Sequence, residues 1–399
     1  MEAKDNSELI VVLADESAHW RIAGLPQLER LVLAVNEFAG LINATKRIEV
    51  VIFWRPDIVS GARWLPNDAR MQRVRTTESL SSLQPGLDVR IINTRLFVTR
   101  QGMKEFPPVL PPVQLDQPIA DSPEVWTALY QNCEEFYRNN SPGNADRAWK
   151  YLEGTADIPG SEKTFLRQSG KAQDGIVSKF VNRPISRALS RFLLRYSVSP
   201  KMWTYSIFAL AIVGTFLLAR GTRPGFILGA ISFQIFSTLD GCDGEIARAK
   251  YLESERGARL DAFCDLLGNL LFVFGISVGV CRYYSQSSIG WIYLVEGFCA
   301  LLLMAWRHLP PAIALFVLRS AIVQDHPLVR SAAEKLFGAA IEQFLLDVTK
   351  RDVVFFAFML LALVGQFVLI LHILFVYALG GALLLLKGRA DQRSSAVAC

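Results

Sequence analysis

Beyond residue 204 the chain carries six apolar segments, and these limit what it can fold into more than any other feature. They lie at about 204–218, 225–239, 266–280, 289–306, 353–364 and 367–386 and are built of Leu, Phe, Val, Ile and Ala. In lipid each backbone polar group must find its partner within the segment, so helices are expected. Several segments fall short of the ~20 residues that a crossing needs, so the spans must borrow flanking polar residues. Arg248, Lys250, Arg256 and Arg259, then Arg307, Arg319, Arg330, Lys335, Lys350 and Arg351, then Lys387 and Arg389 fall on one side. The other side keeps Arg220, Arg223 and Arg282. The excess of positive charge predicts six transmembrane helices with both termini in the cytoplasm. Residues 310–347 are left as an amphipathic cytoplasmic or interfacial connection.

The first 170 or so residues read like an ordinary globular domain, although 51% of the 399 residues are hydrophobic. Two halves with different solvents follow. Residues 8–13 and 47–53 read as strands and 27–38 as a helix, which predicts an α/β layer domain. The proline-rich stretch 105–118 reads as a surface excursion, and 141–146 as a turn cluster. The expected organisation is an α/β domain at 1–155, a linker at 156–175, a juxtamembrane amphipathic helix at 176–200 and an all-α membrane domain at 201–390. Residues 1–9 are polar and acidic, so a cleaved secretory signal is not expected. The six cysteines show no CxxC or CxxH spacing and read as small apolar fillers. A net charge of +5, with basic residues clustered beside the apolar segments, points to a membrane surface and not to nucleic acid.

Basic residues recur every fourth position at Lys179, Arg183, Arg187, Arg191 and Arg195, interleaved with Phe180, Ile185, Leu189, Phe192 and Leu193. Residues four apart share a helix face, so this is a basic amphipathic helix. Lying on an anionic leaflet explains it, and so does binding a phosphorylated substrate.

Where the second apolar segment ends and the third begins, the chain reads DGCDGEIARAKYLESERGARLDAFCDLLGN from Asp240 to Asn269. Asp240 and Asp243 are three apart and Asp261 and Asp265 four apart, so each pair faces one side of its helix. An aspartate at the centre of a membrane helix costs about 2.5 to 3.5 kcal/mol, less near an interface, so four in one place need compensation. Hard oxygen ligands favour magnesium, manganese or calcium over zinc. A calcium-binding EF-hand loop fails on the positions of Gly241 and Gly244. A cation pathway is the other rival, but it leaves Gly244, Ala247 and Gly257 unexplained. Those small residues share faces with the carboxylates and clear volume for an extended ligand. Arg248 adds a fork suited to phosphate. Metal ions, an arginine and cleared volume describe a diphosphate site.

DxxDGxxAR, eight residues, then GxxxDxxxD resembles the defining motif of the CDP-alcohol phosphotransferases, with Asp240, Asp243, Gly244, Ala247, Arg248, Gly257, Asp261 and Asp265 at its fixed positions. The resemblance implies a six-helix membrane enzyme, a homodimer, that transfers a phospho-alcohol group from a CDP-alcohol donor to an acceptor hydroxyl and releases CMP. By the same resemblance Asp240, Asp243, Asp261 and Asp265 hold two metal ions, Mg2+ or Mn2+. Asp240, Asp243, Gly244, Ala247, Arg248 and Gly257 form the CDP site, and Asp265 is the general base.

The segment KAQDGIVSKFVNRPISR, 171–187, is similar to that of a subgroup with an N-terminal nucleotidyltransferase-like domain, which includes enzymes joining CDP-inositol to inositol phosphate. It makes Asn182, Arg183 and Arg187 candidates for binding a phosphorylated polyol acceptor. The next landmark of the family, Pro-Asn with a nearby Thr, stands here as Pro200, Lys201 and Thr204, and the missing asparagine leaves the acceptor open. Phosphatidyl transfer from CDP-diacylglycerol in phospholipid synthesis is the alternative, and a non-catalytic membrane protein or cation pathway a distant one. GLPQLERLVLAVNEFAG, 24–40, is similar to sugar-phosphate nucleotidyltransferases, but Ala14, Asp15, Glu16, Ser17 and Ala18 stand where those enzymes carry a Gly-rich phosphate loop. A degenerate module for stability, assembly or substrate delivery is expected. The whole is expected to be a multi-pass protein in the cell membrane of a prokaryote, among membrane lipids.

Overall fold

The computed structural model describes residues 9–41, 47–79, 88–99, 113–114, 121–140, 149–168, 175–318 and 327–397. Two compact units divide the chain. The first takes residues 1–170 together with two short later segments, 191–197 and 245–252, and the second takes the remainder.

The first unit is built on β1 (Leu9–Ala14), whose six residues LIVVLA are all buried. An unbroken apolar run of this kind suits a strand covered on both faces, as a parallel sheet requires. Two short strands, β2 (Arg21–Ile22) and β3 (Leu25–Pro26), lead into helix α1 (Gln27–Leu41), and then come β4 (Ile48–Trp54), β5 (Val74–Thr77), β6 (Asp88–Asn93), β7 (Leu96–Val98) and β8 (Val113–Gln114). The main sheet has the order β5-β4-β1-β6-β8. β1 pairs in parallel with β4 and β6, Val11 lying opposite Val51 and Ile91, and β8 alone runs antiparallel. α1 buries Leu28, Leu31, Val32, Val35 and Ala39, a stripe at helical spacing, into the core around β1. After α2 (Pro123–Asn139), with Pro at its start and Ser122 as N-cap, β9 (Trp149–Tyr151) pairs with β7. The described part of the expected linker, 156–175, contains helix α3 (Ile158–Gln168), which buries Phe165 and Leu166. The expected turn cluster at 141–146 lies outside the described residues, and so does the proline-rich stretch 105–118 apart from the two residues of β8.

The second unit is helical. A helix opening with one π-helical turn at Ser178–Asn182 continues as α4 (Arg183–Leu193). Then come α5 (Pro200–Ala219), α6 (Arg223–Leu239), α7 (Gly241–Ala249), α8 (Glu255–Tyr283), α9 (Gly290–Leu318), α10 (Pro327–Phe337), α11 (Ala339–Val348), α12 (Arg351–Leu363) and α13 (Phe367–Val397). α5 packs along α6 and α8, α9 along α8 and α13, and α12 against α6. Small residues let the backbones approach, as membrane helices require. A Cβ on Gly279 of α8 would run into the Leu218 carbonyl of α5, and one on Gly229 of α6 would stand 2.7 Å from the Leu218 side chain. Phe226, Phe233, Phe236, Phe272 and Phe355 fill the centre of this unit.

Among the described residues five helical stretches are long and apolar enough to cross a membrane: Pro200–Ala219, Arg223–Ala249, Glu255–Tyr283, Gly290–His308 and Phe367–Asp391. The segment 353–364, read from the sequence as a sixth span, lies in α12. Its 13 residues reach only about 20 Å at 1.5 Å per residue, against the ~30 Å of hydrocarbon. Cys133, Cys242 and Cys264 are buried thiols, and the described cysteines form no disulfide.

Candidate functional site

Two chain features deliver the aspartates to one place. α6 and α7 are nearly continuous, so Asp240 sits at their junction, with its amide donating to the Phe236 carbonyl at 3.0 Å. The Trp203 indole donates to the Leu239 carbonyl at 3.0 Å and fixes the end of α6 against α5. α8 starts at an N-cap, Ser254, whose hydroxyl accepts from the Gly257 amide at 3.1 Å. Asp261 and Asp265 follow one turn apart on that helix.

Carboxylate oxygens of Asp240, Asp261 and Asp265 lie within 4.8 Å of one another. Three hard oxygen donors this close form a group able to hold a divalent metal ion. Asp243, the fourth acidic residue of the motif, is buried, and its Oδ2 accepts from the Thr204 hydroxyl at 2.6 Å. Its Oδ1 accepts from the Gly244 amide. Asp243 thus lies outside the three-carboxylate cluster in this arrangement.

Arg351 at the start of α12 is the residue that the motif did not reveal. Its Nη1 pairs with Asp265 and its Nη2 with Asp240. The same guanidinium lies 5.8 Å from the centre of the Phe236 ring. One cation spread over two acids answers part of the charge problem that the four aspartates pose in an apolar setting. From the sequence Arg351 was only one of the positive charges flanking the spans. Its separation of 86 positions from Asp265 hides the pairing.

Gly244, Ala247 and Arg248 follow Asp243 along α7, and Gly257 occupies the first turn of α8. A side chain on Gly257 would meet only its own N-cap, with Ser254 Oγ at 3.1 Å. Gly241 has a different reason to be small: a Cβ there would stand 3.0 Å from Arg183 Nη1 and 3.3 Å from Ser186 Oγ. The basic helix therefore brings Arg183 against the residue that follows Asp240. Asn182 is buried, and its Oδ1 accepts from Gln234 Nε2 and Thr238 Oγ1, each at 3.0 Å. Arg187 is half-buried one turn beyond Arg183.

In the first unit the acidic turn after β1 has a definite structure. Asp15 is the N-cap of a single 3-10 turn, Glu16–His19. Its Oδ1 accepts from the Ser17 amide at 2.8 Å and also from the Ser17 and Thr94 hydroxyls. Its Oδ2 accepts from the Tyr130 hydroxyl at 2.8 Å and Arg95 Nε at 3.2 Å. Burial pushes the Asp15 carboxyl up, but the hydrogen bonds from Ser17 and Tyr130, with the Arg95 charge, outweigh it and hold the group below the ordinary carboxylate range. In open α/β sheets ligands bind beyond the carboxyl ends of the strands, where the strand order reverses. Here an internal carboxylate takes up the donors at the ends of β1 and β6.

Comparison with known proteins bears on the helical unit. Residues 197–383 match the family described as CDP-alcohol phosphatidyltransferase. A protein of Rubrobacter xylanophilus called "Bifunctional IPC transferase and DIPP synthase" is 38% identical over 135 residues, which is 34% of this chain and 30% of that protein. Proteins of the same name from Thermococcus kodakarensis and Archaeoglobus fulgidus are 33% identical over 118 residues and 31% over 126. These matches cover 29% and 31% of this chain and 26% and 25% of those two proteins, so the chain spans less than a third of the length of these relatives. The matched stretch 197–383 contains all four aspartates, and over it the chain is similar to the CDP-alcohol phosphatidyltransferase family.

Proposed function

We propose that this protein is a metal-dependent transferase that moves a phospho-alcohol group from a CDP-alcohol donor to an acceptor hydroxyl and releases CMP. The observation that carries the reading is the convergence of Asp240, Asp261 and Asp265 inside the matched family region. Two Mg2+ or Mn2+ ions are proposed, which Asp240, Asp243, Asp261 and Asp265 would hold. The bound cations supply positive charge for the diphosphate oxygens. Gly244, Ala247 and Gly257 leave room for the cytidine diphosphate, and Arg248 adds a fork for phosphate.

Asp265 stands at the lip of the cluster, its side chain 30% exposed against 12% for Asp240. This suits it to take the proton of the acceptor hydroxyl. The acceptor oxygen bonds to the phosphorus that carries the donor alcohol. The bond from that phosphorus to the oxygen shared with CMP breaks, CMP leaves with the electron pair, and a phosphodiester results.

The acceptor is proposed to be a phosphorylated polyol of the inositol phosphate kind. The name shared by the three relatives supports this, and so does Arg183, whose guanidinium lies against Gly241. Arg187 would add charge, and Asn182 would anchor the start of α4 to α6. The family description favours a second reading, phosphatidyl transfer from CDP-diacylglycerol. The first unit is proposed to be a nucleotidyltransferase-like module without transfer activity, a reading supported by the turn after β1, which presents the Asp15 carboxylate, hydrogen-bonded by Ser17 and Tyr130, and so disfavours phosphate. We place the protein in a cell membrane as a homodimer among lipids, with both termini cytoplasmic.

Asp265→Asn tests the assignment. CMP release should vanish while binding of the CDP-alcohol donor survives, read by equilibrium binding of radiolabelled donor to the purified variant. Full turnover in that variant would remove Asp265 from the mechanism.

A further inference from the structure

The segment that ends the motif helix, residues 245–252, belongs to the first compact unit. Its backbone is held there by side chains far away in sequence. Arg30 of α1 is only 2% exposed. It donates through Nη2 to the Ala249 carbonyl at 2.7 Å and through Nε to the Ile22 carbonyl at 3.1 Å. Its guanidinium lies between two rings, 5.0 Å from the centre of Phe165 and 5.7 Å from that of Tyr251. Arg70 donates to the next carbonyl, that of Lys250, and is itself held by Asp68 and by Glu29 at 2.6 Å. These are the carbonyls that a helix C-terminus leaves without partners, at the end where its dipole favours positive charge.

The helix stop has the pattern of a Schellman motif, with the Leu252 amide bonded to the Ala247 carbonyl at 2.8 Å and the Tyr251 amide to that of Arg248 at 3.4 Å. The left-handed position in such a stop is ordinarily glycine, but here it is Tyr251, with φ +54. That conformation is strained for a residue with a side chain. The ring offsets this by packing against the core around β1. Gly24 completes the fit, with φ +84 and no room for a side chain, since a Cβ would stand 2.6 Å from the Leu194 carbonyl and 2.8 Å from Lys250 Cε.

We infer that the first unit holds the end of helix α7, with Arg30, Arg70 and Tyr251 as positioning residues for the phosphotransferase motif. α7 is one nine-residue helix, and it carries Asp243 near its start and Ala247 and Arg248 near its end. Fixing its last turn fixes the rotation and register of the whole. A unit that performs no transfer of its own would be retained for this purpose. The inference rests on the transferase reading for its kinetic consequence, but its structural content stands apart from it.

Full-length protein in detergent tests this with Arg70→Gln and Tyr251→Gly; the second variant suits the left-handed backbone and removes only the ring. Val50→Ala, in the buried centre of β4, serves as the control that destabilises the first unit without touching α7. Both test variants should lower kcat for CMP release by about 10- to 100-fold, with a smaller change in donor KM, and should speed amide hydrogen exchange across 241–252. Val50→Ala should lower the melting temperature and do neither. Wild-type exchange and kcat in both test variants, or a control that matches them, would overturn the inference. If the wild type releases no CMP, the transferase reading fails, and the exchange data alone decide whether the first unit holds α7.

Discussion

Arg351 is the counter-ion shared by Asp240 and Asp265. A guanidinium between two carboxylates satisfies both with directed hydrogen bonds, and removing it leaves buried negative charge uncompensated. Its side chain is about a quarter exposed, at 24%, so the loss in Arg351→Gln should be modest, about 2 kcal/mol in chelator. A divalent cation that binds only the folded state restores stability by mass action. The variant should therefore melt well below wild type in EDTA and close to it in millimolar Mg2+, as followed by thermal unfolding in detergent. An equal deficit in both media would mean that the guanidinium and the cation do not share these acids. The four aspartates were legible in the sequence because regular spacing on two helices marks them. Arg351 was not, since nothing local ties it to the motif. Thr204 was noticed as a landmark, yet its bond to Asp243 depends on how α5 packs beside α7, and that is decided by tertiary contacts.

Elements were read well where their periodicity is long. β1, α1 and β4 fall within one to three residues of their expected limits, and every expected apolar segment lies in a helix to within one residue. α3 was missed as a helix because polar and glycine residues dominate its sequence, and only Ser161, Phe165 and Leu166 of its face are buried. The acidic turn after β1 is plain in the sequence, but its hydrogen bonding is not, since Thr94, Arg95 and Tyr130 come from distant elements. That turn carries a pH dependence. The folded Asp15 carboxyl lies below its usual range, so its contribution is full above the unfolded value of about 3.9 and is lost as pH falls through the lower folded value. Asp15→Asn should reduce stability by about 3 kcal/mol at pH 7, because donors that surrounded a carboxylate lose it. The gap between wild type and variant should close as pH is lowered below about 4, measured by tryptophan fluorescence in urea titrations. A gap independent of pH would show that Asp15 is not ionised in the fold.

At the scale of the molecule, an apolar helical half carries the four aspartates, and residues 245–252 belong to the α/β unit, where Arg30 and Arg70 hold their backbone. The division into two solvents was legible from composition alone. The inclusion of residues 245–252 in the first unit was not, because it depends on which carbonyls Arg30 and Arg70 reach. The central claim is that the aspartate cluster performs metal-dependent transfer from a CDP-alcohol. The most direct measurement is CMP release by the purified full chain in detergent, crossing CDP-inositol and CDP-diacylglycerol with inositol phosphate and other alcohols, in Mg2+, Mn2+ or EDTA. The account predicts CMP only when a CDP-alcohol, an acceptor and a divalent cation are all present, with CDP-inositol and inositol phosphate the productive pair. Release that persists in EDTA, or a folded protein that releases no CMP from any combination, would contradict it.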